Sequence, residues 1–303
     1  MKNKKGRYSL PYHLMMLPGV AMLFIFGVIP MVGIVMAFQN YNPVAPWFGL
    51  GSPFVGLRNF HTIFVRHPNS TQVIINTVVI AVWKIIMNII VPVVFALLLN
   101  ECLKTWFKRT VQTIVYLPHF LSWVIAAAMF RQIFSLTGIV NTALMNLNIL
   151  NEPIMFLASN TWFRPILVFT DVWKNFGFGA IVFIAAITAI DTSQYEAANI
   201  DGAGRWQKMF YITLPGILPT IILMSTLSLG NILNAGFDQV FNMYNPAVYS
   251  TGDIIDTFVY RIGLLNLQFH NATAVGLARS VISMVLIVVA WKLADKFAGY
   301  RIF

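Results

Sequence analysis

The chain has 303 residues, of which 58% are hydrophobic and only 10% charged, whereas a soluble chain carries about a quarter charged residues. That balance excludes a soluble domain and points to an all-α, polytopic membrane protein. Lys and Arg number 20 against 10 Asp and Glu, a net charge of +10. The basic residues stand at the ends of apolar runs rather than massed on one face, so they orient the chain in a bilayer and do not mark a nucleic-acid surface. The single cysteine, Cys102, allows no internal disulfide and has no metal-ligand spacing.

Residues 1–13 carry Lys2, Lys4, Lys5 and Arg7 and read as a basic N-terminus, with 14–303 as one transmembrane domain. The apolar run from Leu14 to Phe38 is long enough to span a bilayer at about 20 residues. It lacks the short core and small-residue cleavage site of a signal peptide, so a retained first span is expected. A turn-rich stretch follows, with Asn42-Pro43, Gly51-Ser52-Pro53 and Gly56, and is expected on the outer surface. The second span is expected from Val73 to Leu99, kinked at Pro92, where proline removes a backbone donor. Lys104, Lys108 and Arg109 then form a basic loop before a third span, Val111 to Phe130, with Pro118 near its start. A fourth span is expected from Pro165 to Ile190, a fifth from Pro215 to Gly236 and a sixth from Ala272 to Leu293. Six spans with both termini in the cytoplasm place most Lys and Arg near span ends on the inner side, as membrane orientation requires. They also place residues 191–214 in the cytoplasm.

Four charged residues fall inside these runs: Lys84, Asp171, Lys174 and Arg279. A charge at the centre of a lone helix costs roughly 2.5 to 3.5 kcal/mol, so these side chains are expected to face protein or water. Asp171 and Lys174 share a helix face, with Phe178 one turn further. Two readings stand for that pair: a translocation pathway, or mutual pairing that fixes packing. Lys84 is assigned to the pathway, and Arg279 either joins it or snorkels outward. The fifth span adds a stripe: at about 100° per residue Asn231, Asn234, Asp238 and Asn242 fall within about 80° of one another, so one face offers amides and a carboxylate. Such a stripe suits sugar hydroxyls, because amides both donate and accept, or else it glues helices. Trp123, Trp173, Phe176, Phe237 and Phe241 are close enough in sequence to stack on sugars, or to form an interfacial belt.

Between the fourth and fifth runs lies Tyr195-Glu196-Ala197-Ala198-Asn199-Ile200-Asp201-Gly202-Ala203-Gly204, followed by Leu214-Pro215 and Pro219. Ser193 and Glu196 stand three apart in the order of a capping box, which predicts a helix from about Gln194 that ends at the glycines. A second helical run from Arg205 then leads to Pro215.

Glu196-Ala197-Ala198, Asp201-Gly202-Ala203, Leu214-Pro215 and Pro219 resemble, in order and spacing, the "EAA" loop of permease subunits in bacterial ATP-binding-cassette importers. The flanks resemble the branch of that family that carries oligosaccharides derived from complex polysaccharides. The resemblance implies a coupling role for Glu196, Ala197, Ala198, Asp201, Gly202 and Ala203, seated in a cleft of an ATPase. It further implies a second, non-identical permease, two cytoplasmic ATPase subunits holding ATP and Mg, an external solute-binding protein, and a place in the bacterial plasma membrane.

The chain has no G-x-x-x-x-G-K-[ST], H-E-x-x-H or G-x-S-x-G, so neither a P-loop nor a recognised hydrolytic site is expected, and no catalytic or metal-binding residue is assigned. Lys84, Lys174 and Arg279 would add positive potential to a cavity, which fits acidic sugars. A small neutral sugar, or a non-transporting membrane sensor or anchor, are the alternatives.

Overall fold

The computed structural model describes residues 5–46, 49 and 51–298; Lys2, Lys4 and Arg301 lie outside them. The chain divides into two compact units, Met1–Pro68 with Val259–Ala278, and Asn69–Phe258 with Arg279–Phe303. Among the described residues there is no strand, and the one isolated β-bridge joins Gln39 to Phe54.

Among the described residues five helices are long and apolar enough to cross a membrane: Pro11–Phe38, Ser70–Asn100, Phe163–Thr188, Arg205–Leu229 and Phe269–Lys292. They correspond to the expected first, second, fourth, fifth and sixth spans. Pro92 sits within the second without ending it. In the first unit, the backbone after the first span is tied by Asn40 N–H to Pro53 O (2.9 Å) and Val55 N–H to Phe38 O (2.8 Å), so the turn-rich stretch folds back on the span's end.

The third span departs from expectation. Thr105–Phe120 and Trp123–Ile133 meet at 102°, so the run from Val111 to Phe130 is a broken helix. Pro118 supplies the cause, since it cannot continue the backbone ladder. Ser122 then restarts the helix as its N-cap, its Oγ accepting from Ile125 N–H at 3.3 Å.

The fifth span is also shorter at its far end and longer at its near end than expected. Helix is continuous from Arg205 through a π-type stretch at Met209–Thr213 into Leu214–Leu229, where it stops. Gly230, Asn231, Asn234 and Gly236 are poor helix formers, and the chain turns through Asn231 N–H to Ser228 O (3.0 Å) and Asn234 N–H to Asn231 O (2.8 Å). A separate helix, Phe237–Met243, follows. The proposed stripe of Asn231, Asn234, Asp238 and Asn242 on one helical face therefore does not exist. Its members lie on two different elements.

The second and fourth spans pack along one another and form the axis of the second unit. Ile80, Ala81, Phe163 and Leu167 belong to one core with Ala126, Phe130, Ala235 and Val240. Val93, Ala96, Ala180, Phe183 and Ile217 form the other. Small residues recur because membrane helices gain from close backbone approach. Gly177 is one such point, since a Cβ there would collide with the Val115 carbonyl of the bent span.

Candidate functional site

Two places gather the candidate residues: a polar cleft at the break that ends the fifth span, and the short helix between the fourth and fifth spans.

The cleft begins from Lys84, near the middle of the 31-residue second span and 7% exposed. Its ammonium donates to Ala235 O at 2.6 Å, to Gln239 Oε1, and pairs with Asp171 Oδ1 at 3.4 Å. Ala235 lies in the non-helical stretch after Leu229, so the lysine satisfies a carbonyl that the broken helix has freed at span depth. Gly236 makes this possible twice over. Its φ of +88° suits glycine, and a Cβ there would stand 3.0 Å from Lys84 Nζ. Gln239 is fully buried and passes the network onward, donating to Leu167 O (2.8 Å) and Thr170 Oγ1 (2.7 Å). Asp171 accepts a second bond from Asn88 Nδ2 at 2.8 Å. Asn88 stands four residues after Lys84, one helical turn along the same face.

An open cleft of about 320 Å³ is lined by Lys84, Asn88, Asp171, Ser228, Asn231 and Asn234, with Ala81, Ile85, Ala235 and Gly236. Four predicted residues thus come together: Lys84, Asp171, Asn231 and Asn234. Asn88, Ser228 and Gln239 complete the arrangement and were missed. Asn88 carried a readable signal, an amide one turn from an intramembrane lysine. Gln239 carried none until the helix break was known.

The other predicted residues lie elsewhere. Lys174 does not pair with Asp171; its ammonium donates to His119 O at 2.5 Å and sits 5.7 Å from the Trp123 ring centroid. It satisfies a carbonyl freed at the Pro118 break, as Lys84 does at the Leu229 break. Phe178 stacks on the His119 ring at 4.1 Å. Arg279 forms an ion pair with Asp256 and does not line the cleft. Asn242 donates to Asp238 O at 2.8 Å, and its own carbonyl accepts from Arg131. None of the predicted aromatic residues lines the cleft. Trp173 packs edge-on against Phe130, Phe176 packs edge-on against Phe95, and Phe237 stacks on Phe241.

The short helix is Thr192–Ile200. Its N-cap is Asp191, whose carboxylate accepts from Ser193 N–H at 2.9 Å, so the predicted capping box of Ser193 and Glu196 is replaced by an earlier acidic cap. That bond holds the Asp191 carboxyl below its usual range. The helix ends in a Schellman arrangement, with Ala203 N–H on Ala198 O (2.8 Å) and Gly202 N–H on Asn199 O (3.2 Å). Gly202 takes φ +76°, which explains the glycine. Glu196, Ala197, Asp201 and Gly202 are exposed, with Ala198 and Ala203 half-buried.

Two side-chain bonds fasten this helix to the fifth span: Tyr195 Oη to Thr213 Oγ1 at 2.9 Å, and Lys208 Nζ to Asn199 Oδ1 at 2.7 Å. Thr213 is buried in the π-type stretch at the head of that span. Around the helix Ile200, Trp206 and Tyr211 are 87%, 64% and 81% exposed, an apolar surface unusual for a polar loop.

Comparison with known proteins agrees with this arrangement. Among curated proteins the chain is similar to Protein LplB of Bacillus subtilis (strain 168), 40% identical over 286 residues, covering 94% of this chain and 88% of that one. It is similar also to the polygalacturonan/rhamnogalacturonan transport system permease protein YteP of the same organism, 38% identical over 96% of this chain and 89% of that one. Among solved structures it is similar to a chain from a bacterial ABC transporter involved in the import of the acidic polysaccharide alginate. The TM-score is 0.88 and the identity 35%, over 97% of this chain and 98% of that one. The family described as "Binding-protein-dependent transport system inner membrane component" matches residues 88–295. Members of that family are membrane permeases and not enzymes, the ATPase residing in separate subunits. With its membrane spans, its short helix between the fourth and fifth of them and this match, the chain belongs to the family of binding-protein-dependent transport system inner membrane components, as a multi-pass permease of an ABC importer.

Proposed function

We propose that this permease forms, with a second and non-identical permease, the translocation path for acidic oligosaccharides derived from complex polysaccharides. The observation that carries the reading is the polar cleft of Lys84, Asn88, Asp171, Asn231 and Asn234 between membrane spans. Its amides and carboxylate offer donors and acceptors to sugar hydroxyls. The acidic class is supported by the relatives, one a polygalacturonan/rhamnogalacturonan permease and one from an alginate importer. A cleft of about 320 Å³ that is open on one side suits half of a shared path, since small-ligand pockets run from about 300 to 1,000 Å³.

Both termini lie in the cytoplasm in this scheme, and so does the 191–214 loop. Two ATPase subunits bind ATP and Mg, and an external solute-binding protein delivers the sugar. The helix with Glu196, Ala197, Ala198, Asp201, Gly202 and Ala203 docks in an ATPase cleft, its alanines leaving the surface slim and Glu196 meeting a basic residue. Ile200, Trp206 and Tyr211 add apolar contact. Closure of the ATPase pair moves the helix, and the Tyr195–Thr213 bond passes the displacement into the fifth span, whose far end breaks at the cleft. ATP biases two states of one mechanical element, which is what coupling requires.

The test is ATP-dependent uptake by the reconstituted importer of an oligogalacturonate and of a neutral oligosaccharide of equal length. Uptake favouring the acid by about tenfold or more, roughly 1.4 kcal/mol, is expected. Equal uptake, or preference for the neutral sugar, sinks the acidic assignment and leaves the neutral-sugar importer in its place.

A further inference from the structure

The charges of this permease are arranged so that its cleft is not positive. Arg279 is neutralised by Asp256, away from the cleft, and Lys174 is turned onto the His119 carbonyl. What faces the cleft is one cation and one anion, Lys84 and Asp171, 3.4 Å apart and together neutral. Their geometry is asymmetric. Ala235 O and Gln239 Oε1 both accept from Lys84, while Asn88 donates to the second oxygen of Asp171. Neither charge is free to swing away from the other.

A bare carboxylate in this position would repel an anionic sugar, because like charges a few ångströms apart in a poorly solvated site interact strongly. A bare ammonium would have the opposite fault. It would bind the sugar's carboxylate and hold it, whereas a conducting path must bind well enough to admit a ligand and weakly enough to release it. A clamped pair does neither, and it still presents oxygen and nitrogen atoms to hydroxyl groups.

We infer that Lys84 is the fixed counter-ion that masks Asp171, and that this clamped pair sets the charge tolerance of the path, letting uronate-type sugars pass without repulsion or trapping. The inference rests on the translocation reading above and deepens it. It assigns Lys84 as a specificity-determining residue and Asn88 and Gln239 as positioning residues that keep the pair closed.

The test uses the complete reconstituted importer and one ligand in two charge forms, an oligogalacturonate and its methyl ester, with rates normalised to assembled complex. In Lys84→Met, uptake of the acid is expected to fall tenfold or more relative to the ester. In Asp171→Asn, the acid's KM and its maximal rate are both expected to fall relative to those of the ester. Lys84→Met combined with Asp171→Asn is expected to bring the acid-to-ester ratio back to within about threefold of wild type. Parallel losses for acid and ester in both single variants would overturn the inference, because a merely structural pair does not distinguish the two forms. An unrestored ratio in the combined variant would also overturn it. Failure of the wild-type complex to take up either form would instead defeat the translocation reading, and the inference with it.

Discussion

Lys84 and Lys174 show how one residue type resolves two conflicts at once. A membrane-embedded ammonium needs partners, and a broken membrane helix frees carbonyls that need donors. Lys84 meets Ala235 O and Lys174 meets His119 O, so each lysine and each break satisfy one another. Their presence in apolar runs was visible from residue type alone. Their acceptors were not, because both are backbone atoms of distant segments and carry no mark in the sequence. The same holds for Gly177, one glycine among many until the Val115 carbonyl is found against it. Gly177→Val forces that contact apart. Overpacking of this kind costs typically about 1–3 kcal/mol, so the detergent-solubilised protein is expected to melt several degrees lower. An unchanged melting temperature would mean that the bent span does not rest on the fourth span there.

At the scale of elements, periodicity and length located the spans, since an apolar run of about 20 residues matches the thickness of a bilayer's hydrocarbon core. Breaks were harder. Pro118 marks the start of a span in the sequence but not the 102° bend it accompanies, and the asparagine stripe requires continuation of a helix that stops at Leu229. Both differences have one physical origin. Hydropathy reports burial in lipid, whereas continuity depends on whether side chains can satisfy interrupted backbone. The short helix was more legible, its glycine stop being local chemistry, although Asp191 and not Ser193 provides the cap. What could not be read was its fastening. Tyr195→Phe removes the 2.9 Å bond to Thr213 while keeping the ring. With a hydrogen bond worth about 1 kcal/mol net, uptake per ATP hydrolysed is expected to drop roughly fivefold while the ATPase still assembles. Unaltered coupling in that variant would assign the transmission to the continuous helix from Arg205 alone.

For the whole molecule, the loop between the fourth and fifth spans and the cleft at the end of the fifth are joined by one continuous helix, Arg205–Leu229. Motion imposed at its head therefore has a direct route to the residues at its broken end. In the proposed scheme this connection, more than either site alone, is the physical basis for an energy-driven path in a chain with no nucleotide-binding loop of its own. The order of Glu196-Ala197-Ala198 and Asp201-Gly202-Ala203 was enough to identify the family. The cleft required the fold, because its lining is drawn from the second, fourth and fifth spans and the turn beyond Leu229.

The most direct measurement is purification of the tagged chain from membranes beside its Glu196→Lys variant, followed by the amount of ATPase subunit recovered with each. The account predicts that the native chain brings down the ATPase and a second permease. It predicts that the variant keeps the permease but loses the ATPase by about tenfold or more, as reversing a charge at a docked contact costs several kcal/mol. Equal recovery of the ATPase with both chains would contradict it, leaving Glu196 a surface residue on a structural loop.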